Sequence, residues 1–204
     1  MLNFLFLVFS YLIGSIPFAF LSSKYIKGID IRTVGSQNVG ATNTLGHAGK
    51  LAGSLALIGD IGKGILVVFL AQHFIGDPFW VALSGFLVVL GHDFPIFLKF
   101  KGGKGVATTG GVLIGLDWPF ALIMVLLWAL TILVTRFYIM SSLIILGLIP
   151  FFMLVTCWQI EYVILYFCLW LLALYVHRFD IQRQIEGKES TVQEYFKKYK
   201  NKRK

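Results

Sequence analysis

The chain has 204 residues, of which 57% are hydrophobic and only 14% are charged, and its formal net charge is +8. A water-soluble domain carries about 25% charged residues, so this composition and a mean hydropathy of +0.80 exclude water as the solvent for most of the surface. At this length we expect one domain, spanning residues 1–204.

Seven apolar stretches follow one another along the chain, and each is a candidate membrane-spanning helix. They cover residues 2–22, 51–72, 79–98, 106–116, 119–135, 139–157 and 161–176. A span needs about 20 mainly apolar residues, so we expect the short fourth helix to begin earlier, near Gly103, inside a glycine-rich stretch. The sequence therefore predicts an all-α, polytopic membrane protein with seven transmembrane helices.

The basic residues fall on one side of this arrangement if the N-terminus lies outside. The inner loops and the tail then hold every Lys and Arg except Lys63: Lys24, Lys27, Arg32, Lys50, Lys99, Lys101, Lys104, Arg136, Arg178, Arg183, Lys188, Lys197, Lys198, Lys200, Lys202, Arg203 and Lys204. The opposite loops hold Asp77, Asp117 and Glu161 and no basic residue. By the positive-inside rule, this pattern predicts a protein of the cytoplasmic membrane with its C-terminus in the cytoplasm.

Residues 179–204 form a basic, amphipathic tail. We interpret it as a helix lying against the anionic headgroups of membrane lipids. Binding to nucleic acid is not expected, because no element that reads bases accompanies the charge.

The first inner loop has an unusual choice of residues between Asp30 and Asn43. Gly35 and Gly40 allow backbone turns with positive φ, and Ser36 is one of several small and hydroxyl-bearing residues between them. Backbone N–H groups in such a stretch can converge on an anion. The alternative is an ordinary polar turn, because these residue types are also common in loops.

The second inner loop, residues 91–109, alternates lysine and glycine and leads directly into an apolar helix. Lys104 beside the start of that helix predicts a phosphate site, since both the helix N-terminus and the ammonium group attract anions. This loop is not a Walker A loop, because the Lys is followed by Gly and no strand precedes it. Membrane anchoring explains Lys99 and Lys101, but it does not explain the pair of glycines around Lys104.

Other polar residues allow two interpretations each. Asp60 and Lys63 share one face of the second predicted span, where they form either a pair that orients the site or direct substrate contacts. Ser141 and Ser142 open the sixth predicted span, as helix caps or as substrate contacts. His177 follows the last span, where packing or headgroup contact competes with function.

Several common sites are excluded by the sequence. The histidines are not spaced as a zinc set, no HExxH motif is present, and no metal or cofactor is expected. No GxSxG elbow is present either. Anion-holding groups on the inner face of a hydrophobic body suit a substrate with a phosphate at one end and a long apolar chain at the other.

Taken together, four motifs resemble the bacterial acyl-phosphate:glycerol-3-phosphate acyltransferases over essentially the full length of the chain. They are Gly14–Pro17 with 30–43, then Asp60–Gly64, then 91–108, and finally 177–181 with Arg183, Gly187 and Glu189. The resemblance implies seven helices, an active site facing the cytoplasm, and transfer of a fatty acyl group from acyl-phosphate to the 1-position hydroxyl of glycerol 3-phosphate. The products would be lysophosphatidic acid and phosphate, made without a cofactor, and we expect a monomer.

The resemblance also implies the site residues. Lys104, His177 and Ser36 would be catalytic. Substrate would be bound by Asn38, Gly40, Thr42, Asn43, Lys63, Gly102, Gly103, Ser142, Arg178 and Asp180.

Three residues depart from the family pattern. Gln37 replaces the usual Gly, Gly46 replaces an Arg expected to hold the phosphate of the acceptor, and Asp180 replaces Asn. All three changes bear on the acceptor side, so a divergent member with another acceptor or a non-catalytic lipid-binding member stays open. A small transporter or flippase for an anionic lipid or metabolite is the alternative from another class.

Overall fold

The computed structural model describes residues 2–156 and 158–201, without the side chains of residues 196 and 198–201. These residues form helices and two 3-10 turns, at Ile31–Thr33 and Ile96–Leu98, and no strand, which confirms the all-α prediction. Residues 202–204 of the predicted tail lie outside the described residues. The helices are α1 (Leu2–Gly14), α2 (Phe18–Lys27), α3 (Ala41–Ala48), α4 (Lys50–Phe74), α5 (Pro78–Asp93), α6 (Val106–Leu116), α7 (Trp118–Thr135), α8 (Tyr138–Val155), α9 (Ile160–Val176), α10 (Arg178–Ile185) and α11 (Val192–Asn201).

Several of these helices are long and apolar enough to cross a membrane. Five segments qualify alone: Leu2–Lys27, Lys50–Phe74, Pro78–Leu98, Trp118–Thr135 and Tyr138–Val155. A sixth is formed if α9 and α10, which meet at a bend of 63°, count as one span. The protein is therefore a multi-pass membrane protein with five or six candidate spans, and the seven-helix count and the orientation stay predictions.

Helix α6 differs from its prediction at its beginning. We expected it to begin near Gly103, but it begins at Val106, after Gly105 with a φ of +71°. A left-handed residue ends regular helical geometry, so residues 102–104 remain a loop. The 11 residues of α6 would be about 16 Å long, which is short of the roughly 30 Å core of a bilayer.

The chain divides into two compact units, Met1–Trp118 and Pro119–Lys204; the single domain stays a prediction. In the first unit, glycines let helix backbones approach closely. A Cβ at Gly14 of α1 would overlap the backbone of Val88 in α5, and one at Gly111 of α6 would overlap the backbone of Ile61 in α4. Small residues at such contacts are typical of helix packing in membranes.

In the second unit, α8 and α9 pack against each other. Gly147 of α8 leaves space for the ring of Trp170, whose Nε1–H donates to the Leu143 carbonyl at 3.1 Å. The Val192 N–H, at the beginning of α11, donates to the Arg136 carbonyl at 3.0 Å. That hydrogen bond ties the tail to the turn between α7 and α8.

Candidate functional site

The first polar loop is folded around the side-chain amide of Asn43, which is 2% exposed. The two hydrogens of its Nδ2 group are shared among the carbonyl oxygens of Ile31, Val34 and Asn38, each 3.1 Å from the nitrogen. Its Oδ1 accepts the N–H of Ser36 at 3.3 Å. Because this one buried amide binds four backbone groups, its contacts favour a role for Asn43 in shaping the loop. The sequence instead predicts that Asn43 binds substrate.

The other predicted residues of this loop surround the N-terminus of α3. Gly40 is the N-cap of the helix, Asn38 is half-buried, and Ser36 and Thr42 are exposed. A Cβ at Gly40 would lie 2.8 Å from Asn38 Nδ2, so the glycine lets that amide lie against the beginning of the helix. The first N–H groups of a helix have no partner within it, and an anion at this end would find them together with hydroxyl and amide donors.

Gly102 and Gly103 fold back onto the end of α5. The Gly102 N–H donates to the Asp93 carbonyl at 3.1 Å, and the Gly103 N–H donates to the His92 carbonyl at 3.0 Å. A Cβ at Gly102 would overlap the His92 carbonyl oxygen, and a Cβ at Gly103 would overlap the His92 ring. The two glycines therefore permit a close backbone approach. Their N–H groups have protein partners, so an anion would be held by the residues that follow.

Lys104 follows these glycines and is half-buried. It directly precedes Gly105, the N-cap of α6. The ammonium group and the open N–H groups of Val106–Thr108 thus belong to one short segment, as the sequence predicts. Both attract an anion, the first by charge and the second by hydrogen bonding and the helix dipole.

The two loops meet in the first unit. The Val39 N–H donates to the Gly102 carbonyl in a long hydrogen bond of 3.4 Å. A cleft of about 390 Å³ lies between the loops, lined by Asp30, Arg32, Thr33, Gln37, Lys101 and Gly102. The structure therefore brings residues of the first and the second sequence motif together at one cleft.

An ion pair forms part of the wall of this cleft. Arg32 donates to both carboxylate oxygens of Asp30, from Nε at 3.0 Å and from Nη2 at 2.7 Å, and its guanidinium carbon lies 4.8 Å from the centre of the Phe20 ring. The side-chain hydrogen bond from Arg32 is the main cause that lowers the pKa of Asp30 from 3.8 to about 2. Asp30 is therefore ionised at neutral pH and compensated by Arg32.

Lys63 lies below the loops and is 3% exposed. Its Nζ donates to the carbonyl oxygens of Gly14 at 2.8 Å and Ile16 at 3.2 Å, where the chain breaks between α1 and α2. It also lies 3.0 Å from Asp60 Oδ1 and 2.8 Å from His92 Nδ1. Asp60 Oδ1 lies within ion-pair distance of Lys63 Nζ, but the two groups are not aligned for a hydrogen bond. The attraction between them is therefore Coulombic. These contacts favour the interpretation of Lys63 as an orienting group over direct substrate contact.

In the second unit, His177 joins α9 to α10 and is 1% exposed. Its Nδ1 lies 2.9 Å from the Ala173 carbonyl oxygen. A carbonyl only accepts hydrogen bonds, so Nδ1 carries a proton, and Nε2 is the acceptor nitrogen of the neutral ring. A ring held in this tautomer can accept a proton or a hydrogen bond from a hydroxyl.

Ser141 and Ser142 are not helix caps, which corrects one of the two interpretations of these residues. Helix α8 begins at Tyr138, and both serines lie inside it, where their hydroxyls donate to the carbonyls of Phe137 at 2.8 Å and Tyr138 at 2.9 Å. Such bonds to the preceding turn are typical of Ser inside helices. Ser142 also accepts from Trp128 Nε1 at 3.1 Å, so substrate contact stays a prediction for Ser142.

Arg178 is exposed. It donates to the Tyr175 carbonyl at 2.8 Å, and its guanidinium carbon lies 4.4 Å and 4.5 Å from the ring centres of Tyr175 and Phe179. Cations stacked on aromatic rings are typical of membrane interfaces, so these contacts favour anchoring at the headgroups.

Asp180 is 2% exposed and pairs with Arg183. Arg183 also donates to Glu189 at 2.9 Å. The negative charge introduced by Asp180 therefore has a compensating cation within the same segment.

The other two departures from the family pattern, at Gln37 and Gly46, also have structural consequences. Gln37 has a φ of +59°, a conformation that suits the glycine usual in the resembling family. Beside Gly46, the His47 ring donates from Nδ1 to the Asn43 carbonyl at 3.2 Å, and a Cβ at Gly35 would overlap that ring. His47 thus packs onto the first loop, next to the position where the family usually has Arg.

Comparison with known proteins decides the family. The profile described as "Glycerol-3-phosphate acyltransferase" matches residues 4–187, which include both polar loops and the His177 segment. The chain belongs to the glycerol-3-phosphate acyltransferase family. It is therefore an acyltransferase and an integral membrane enzyme.

Relatives in this family are similar over most of their length. The chain is 49% identical over 140 residues to the glycerol-3-phosphate acyltransferase of Thermotoga petrophila, covering 69% of this chain and 71% of that protein. It is 43% identical over 192 residues to the enzyme of Bartonella henselae, covering 90% of this chain and 88% of that protein.

Solved structures of PlsY (YgiH), an integral membrane glycerol 3-phosphate acyltransferase, have the same fold. The glycerol 3-phosphate form matches with a TM-score of 0.89 at 34% identity, covering 94% of this chain and 96% of that chain. The lysophosphatidic acid form matches with a TM-score of 0.89 at 33% identity, covering 96% and 99%.

The sequence assigns no role to His92, which lies inside the second motif. It predicts Asn43 as a substrate ligand, whereas the contacts of Asn43 favour a role in shaping the loop. The contacts of Asn43 lie within the preceding 12 residues, so a polar side chain that closely follows a glycine-containing loop was an available signal. His92 contacts Lys63, which lies 29 residues away in the sequence, and no local pattern indicates that contact.

Proposed function

We propose that this enzyme transfers a fatty acyl group from acyl-phosphate to the 1-position hydroxyl of glycerol 3-phosphate, giving lysophosphatidic acid and phosphate. The observation that supports this most is the meeting of two polar loops, each leading into the N-terminus of a helix whose N-cap residue makes no side-chain cap hydrogen bond. One loop also provides Lys104. Two anion-holding helix ends suit a reaction in which both substrates contain phosphate.

The chemistry needs little beyond positioning, because acyl-phosphate is already activated. The hydroxyl oxygen of the acceptor forms a bond to the carbonyl carbon, the bond from that carbon to the phosphate oxygen breaks, and the hydroxyl proton passes to a phosphate oxygen. Lys104 and the N-terminus of α6 would stabilise the departing phosphate. Ser36, Asn38, Gly40 and Thr42 would hold the other phosphate at α3.

Asn43, Gly102 and Gly103 would shape the two loops that hold the phosphates, and Lys63 would support them from below. For His177, in the second unit, a catalytic role remains a prediction, and the contact of its Nδ1 with the Ala173 carbonyl leaves Nε2 as the acceptor nitrogen of the neutral ring. Ser142 and Asp180 remain predicted substrate ligands. Arg178 would act mainly as an anchor at the headgroups.

No covalent acyl-enzyme is needed in this scheme. The proposal follows from the absence of a nucleophile elbow or triad pattern in the sequence. Mass spectrometry after incubation with acyl-phosphate alone tests it, and an acyl group trapped on Ser36 or Ser142 would contradict it.

The main experiment supplies membranes containing the protein with acyl-phosphate and glycerol 3-phosphate and measures phosphate release and lysophosphatidate. We expect Lys104→Ala to lower kcat/KM by about 100-fold or more. Lys27→Ala is the matched control, because Lys27 is an exposed lysine at the end of α2, and it should behave as wild type. Equal rates for Lys104→Ala and wild type would remove Lys104 from the site.

Two further arms of this assay test the substrates. Replacing acyl-phosphate by acyl-CoA or acyl carrier protein tests the donor, and equal rates with either would contradict the proposed donor. Replacing glycerol 3-phosphate by other polyol phosphates tests for a divergent acceptor. Gly46 is the reason for this test, because it replaces the Arg expected to hold the phosphate of the acceptor. Faster turnover of another acceptor would revise the function, while family membership supports an enzyme over a transporter or scaffold.

We also propose a monomer with seven spans in the cytoplasmic membrane, with its N-terminus outside and its site facing the cytoplasm. The one-sided Lys and Arg distribution supports this. In a Cys157→Ser/Cys168→Ser background, single cysteines at Asp77 and at Lys101 can be labelled with an impermeant maleimide. Labelling at Asp77 but not at Lys101 in intact cells is expected, and the reverse would invert the topology.

A further inference from the structure

The second loop rests on a buried side-chain cluster that the proposed reaction does not use directly. It consists of Asp60, Lys63 and His92, which are 1%, 3% and 7% exposed. Lys63 lies on α4, His92 is at the end of α5, and the two carbonyl partners of Lys63 lie at the break between α1 and α2. The cluster therefore joins three parts of the first unit below the loop.

Two charged side chains hold the Nδ1 edge of the His92 ring. Lys63 Nζ lies 2.8 Å from His92 Nδ1, and Asp60 Oδ1 lies 3.2 Å from the same nitrogen. The far edge of the ring, with Nε2, faces Gly103, where an added Cβ would overlap it.

The same histidine holds the loop through its backbone. The Gly103 N–H donates to the His92 carbonyl at 3.0 Å, and the Gly102 N–H donates to the neighbouring carbonyl of Asp93 at 3.1 Å. The His92 ring lies against Gly103, and the His92 carbonyl accepts the Gly103 N–H. Lys104 is the next residue along the chain, so its backbone position follows from this arrangement.

We propose that His92, oriented by Lys63 and Asp60, is a positioning residue that fixes the Gly102–Lys104 backbone and so places Lys104 at the phosphate. This inference rests on the proposed function for the role of Lys104. It assigns His92 no contact with the substrate. A displacement of about 1 Å at a reacting group can cost about 100-fold in rate, so support from below the loop affects catalysis.

Two conservative variants separate the two contacts of the ring. Asn can place an acceptor near the position of Nδ1 and keep the contact with Lys63, whereas Gln can reach the position of Nε2 and keep the contact with Gly103. We expect His92→Gln to retain at least about tenfold more kcat/KM than His92→Asn, with the difference mainly in kcat. Equal activities, or a more active His92→Asn, would overturn the proposal.

A double-mutant cycle tests the same contact from the other side. Gly103→Ala should lower kcat/KM by about 100-fold, because its Cβ would overlap the ring. His92→Ala makes space, so His92→Ala/Gly103→Ala should be at least about fivefold more active than Gly103→Ala alone. If the loss of kcat/KM in the double variant equals the product of the losses in the two single variants, the two residues act independently. That result would overturn the proposal.

A third measurement needs no turnover and therefore remains valid if the proposed reaction is wrong. Hydrogen–deuterium exchange of a peptide covering 99–108 should be about tenfold faster in His92→Asn and close to wild type in His92→Gln. Unchanged exchange in both would overturn the inference, even in an active enzyme. Absence of lysophosphatidate from wild-type protein would instead contradict the proposed function. His73→Ala, an exposed histidine on α4, is the control and should match wild type in every assay.

Discussion

The two polar loops are held in shape in different ways. In the first loop the side chain of Asn43 binds the backbone, whereas in the second loop the absence of side chains at Gly102 and Gly103 allows the backbone to pack closely. Asn43 satisfies four backbone groups in the first loop. In the second loop, Gly102 and Gly103 pack directly against the backbone and ring of His92. Both loops lead into the N-terminus of a helix, so two different structural solutions present the same kind of anion-holding end.

The difference predicts how each loop fails. A loop organised by an amide loses hydrogen bonds when the amide is removed, and water can replace some of them at its exposed side. A loop organised by close packing cannot accept even one additional carbon without moving. The second loop should therefore be the more sensitive of the two, and the predictions below test this in order of expected size.

The largest effect is expected for Gly102→Ala. Its Cβ would overlap a backbone carbonyl, which cannot move aside as a flexible side chain can. We expect a fall of more than about 100-fold in kcat/KM and a loss of about 3 kcal/mol in unfolding free energy, measured by steady-state kinetics and by thermal unfolding in detergent.

Gly110→Ala is the matched control for that variant. A Cβ at Gly110 of α6 would have no neighbour within 4 Å. This variant should match wild type in activity and gain slightly in stability, since Ala favours helices over Gly by about 0.5–1 kcal/mol. Similar behaviour of Gly102→Ala and Gly110→Ala would contradict the close-packing account.

Asn43→Ala should have the second largest effect. It removes the donors for three carbonyls and the acceptor for one N–H, with an expected loss of about 2 kcal/mol and of about 30-fold in kcat/KM. Thermal unfolding and kinetics measure both quantities, and exposed Gln72→Ala is the control. A larger loss than for Gly102→Ala would reverse the ranking of the two loops.

The third effect is small and depends on pH. The folded pKa of Asp30, about 2, lies below its reference value of 3.8, so the ionised pair with Arg32 stabilises the fold above about pH 4 and stops doing so as the pH falls toward 2. Both side chains are partly exposed, so we expect Asp30→Asn to cost less than about 1 kcal/mol near pH 6. Differential scanning near pH 6 and pH 2.5 should show a Tm difference that becomes clearly smaller at the lower pH, and a difference that grows there would contradict the pairing.

The smallest effect concerns Gln37, whose φ of +59° is unfavourable for a residue with a side chain. Gln37→Gly relieves this strain but adds freedom to the unfolded chain, so we expect a net gain of about 0.5 kcal/mol. Thermal unfolding should show a Tm higher by about 1–2 °C. A lower Tm would indicate that the Gln37 side chain makes a stabilising contact in the cleft.

Much of the architecture follows from local sequence. Apolar stretches of span length predict helices because a backbone in lipid must satisfy its own hydrogen bonds. The predicted beginning of α6 was wrong, because glycines do not show whether they continue a helix or interrupt it. Gly105 takes a left-handed φ, which depends on what the neighbouring loop packs against.

The candidate site was predictable where its residues lie close together in the chain. Ser36, Asn38, Gly40 and Thr42 occur in one short stretch, and Lys104 directly precedes its helix. The roles of Asn43 and His92 were not predictable in the same way, and for Lys63 the sequence left two interpretations open. Whether a polar group faces the substrate or a protein partner depends on which carbonyls and rings the fold brings to it.

By itself, therefore, the sequence determined that most of the surface does not face water, that the fold is helical, and which motifs of the family are present. Hydropathy and short motifs are local properties of the chain. Only the tertiary structure decided that Lys63 binds two carbonyls at the break between α1 and α2 and that the His92 ring lies against Gly103. Those contacts join residues far apart in the chain, and their geometry exists only after the helices have packed.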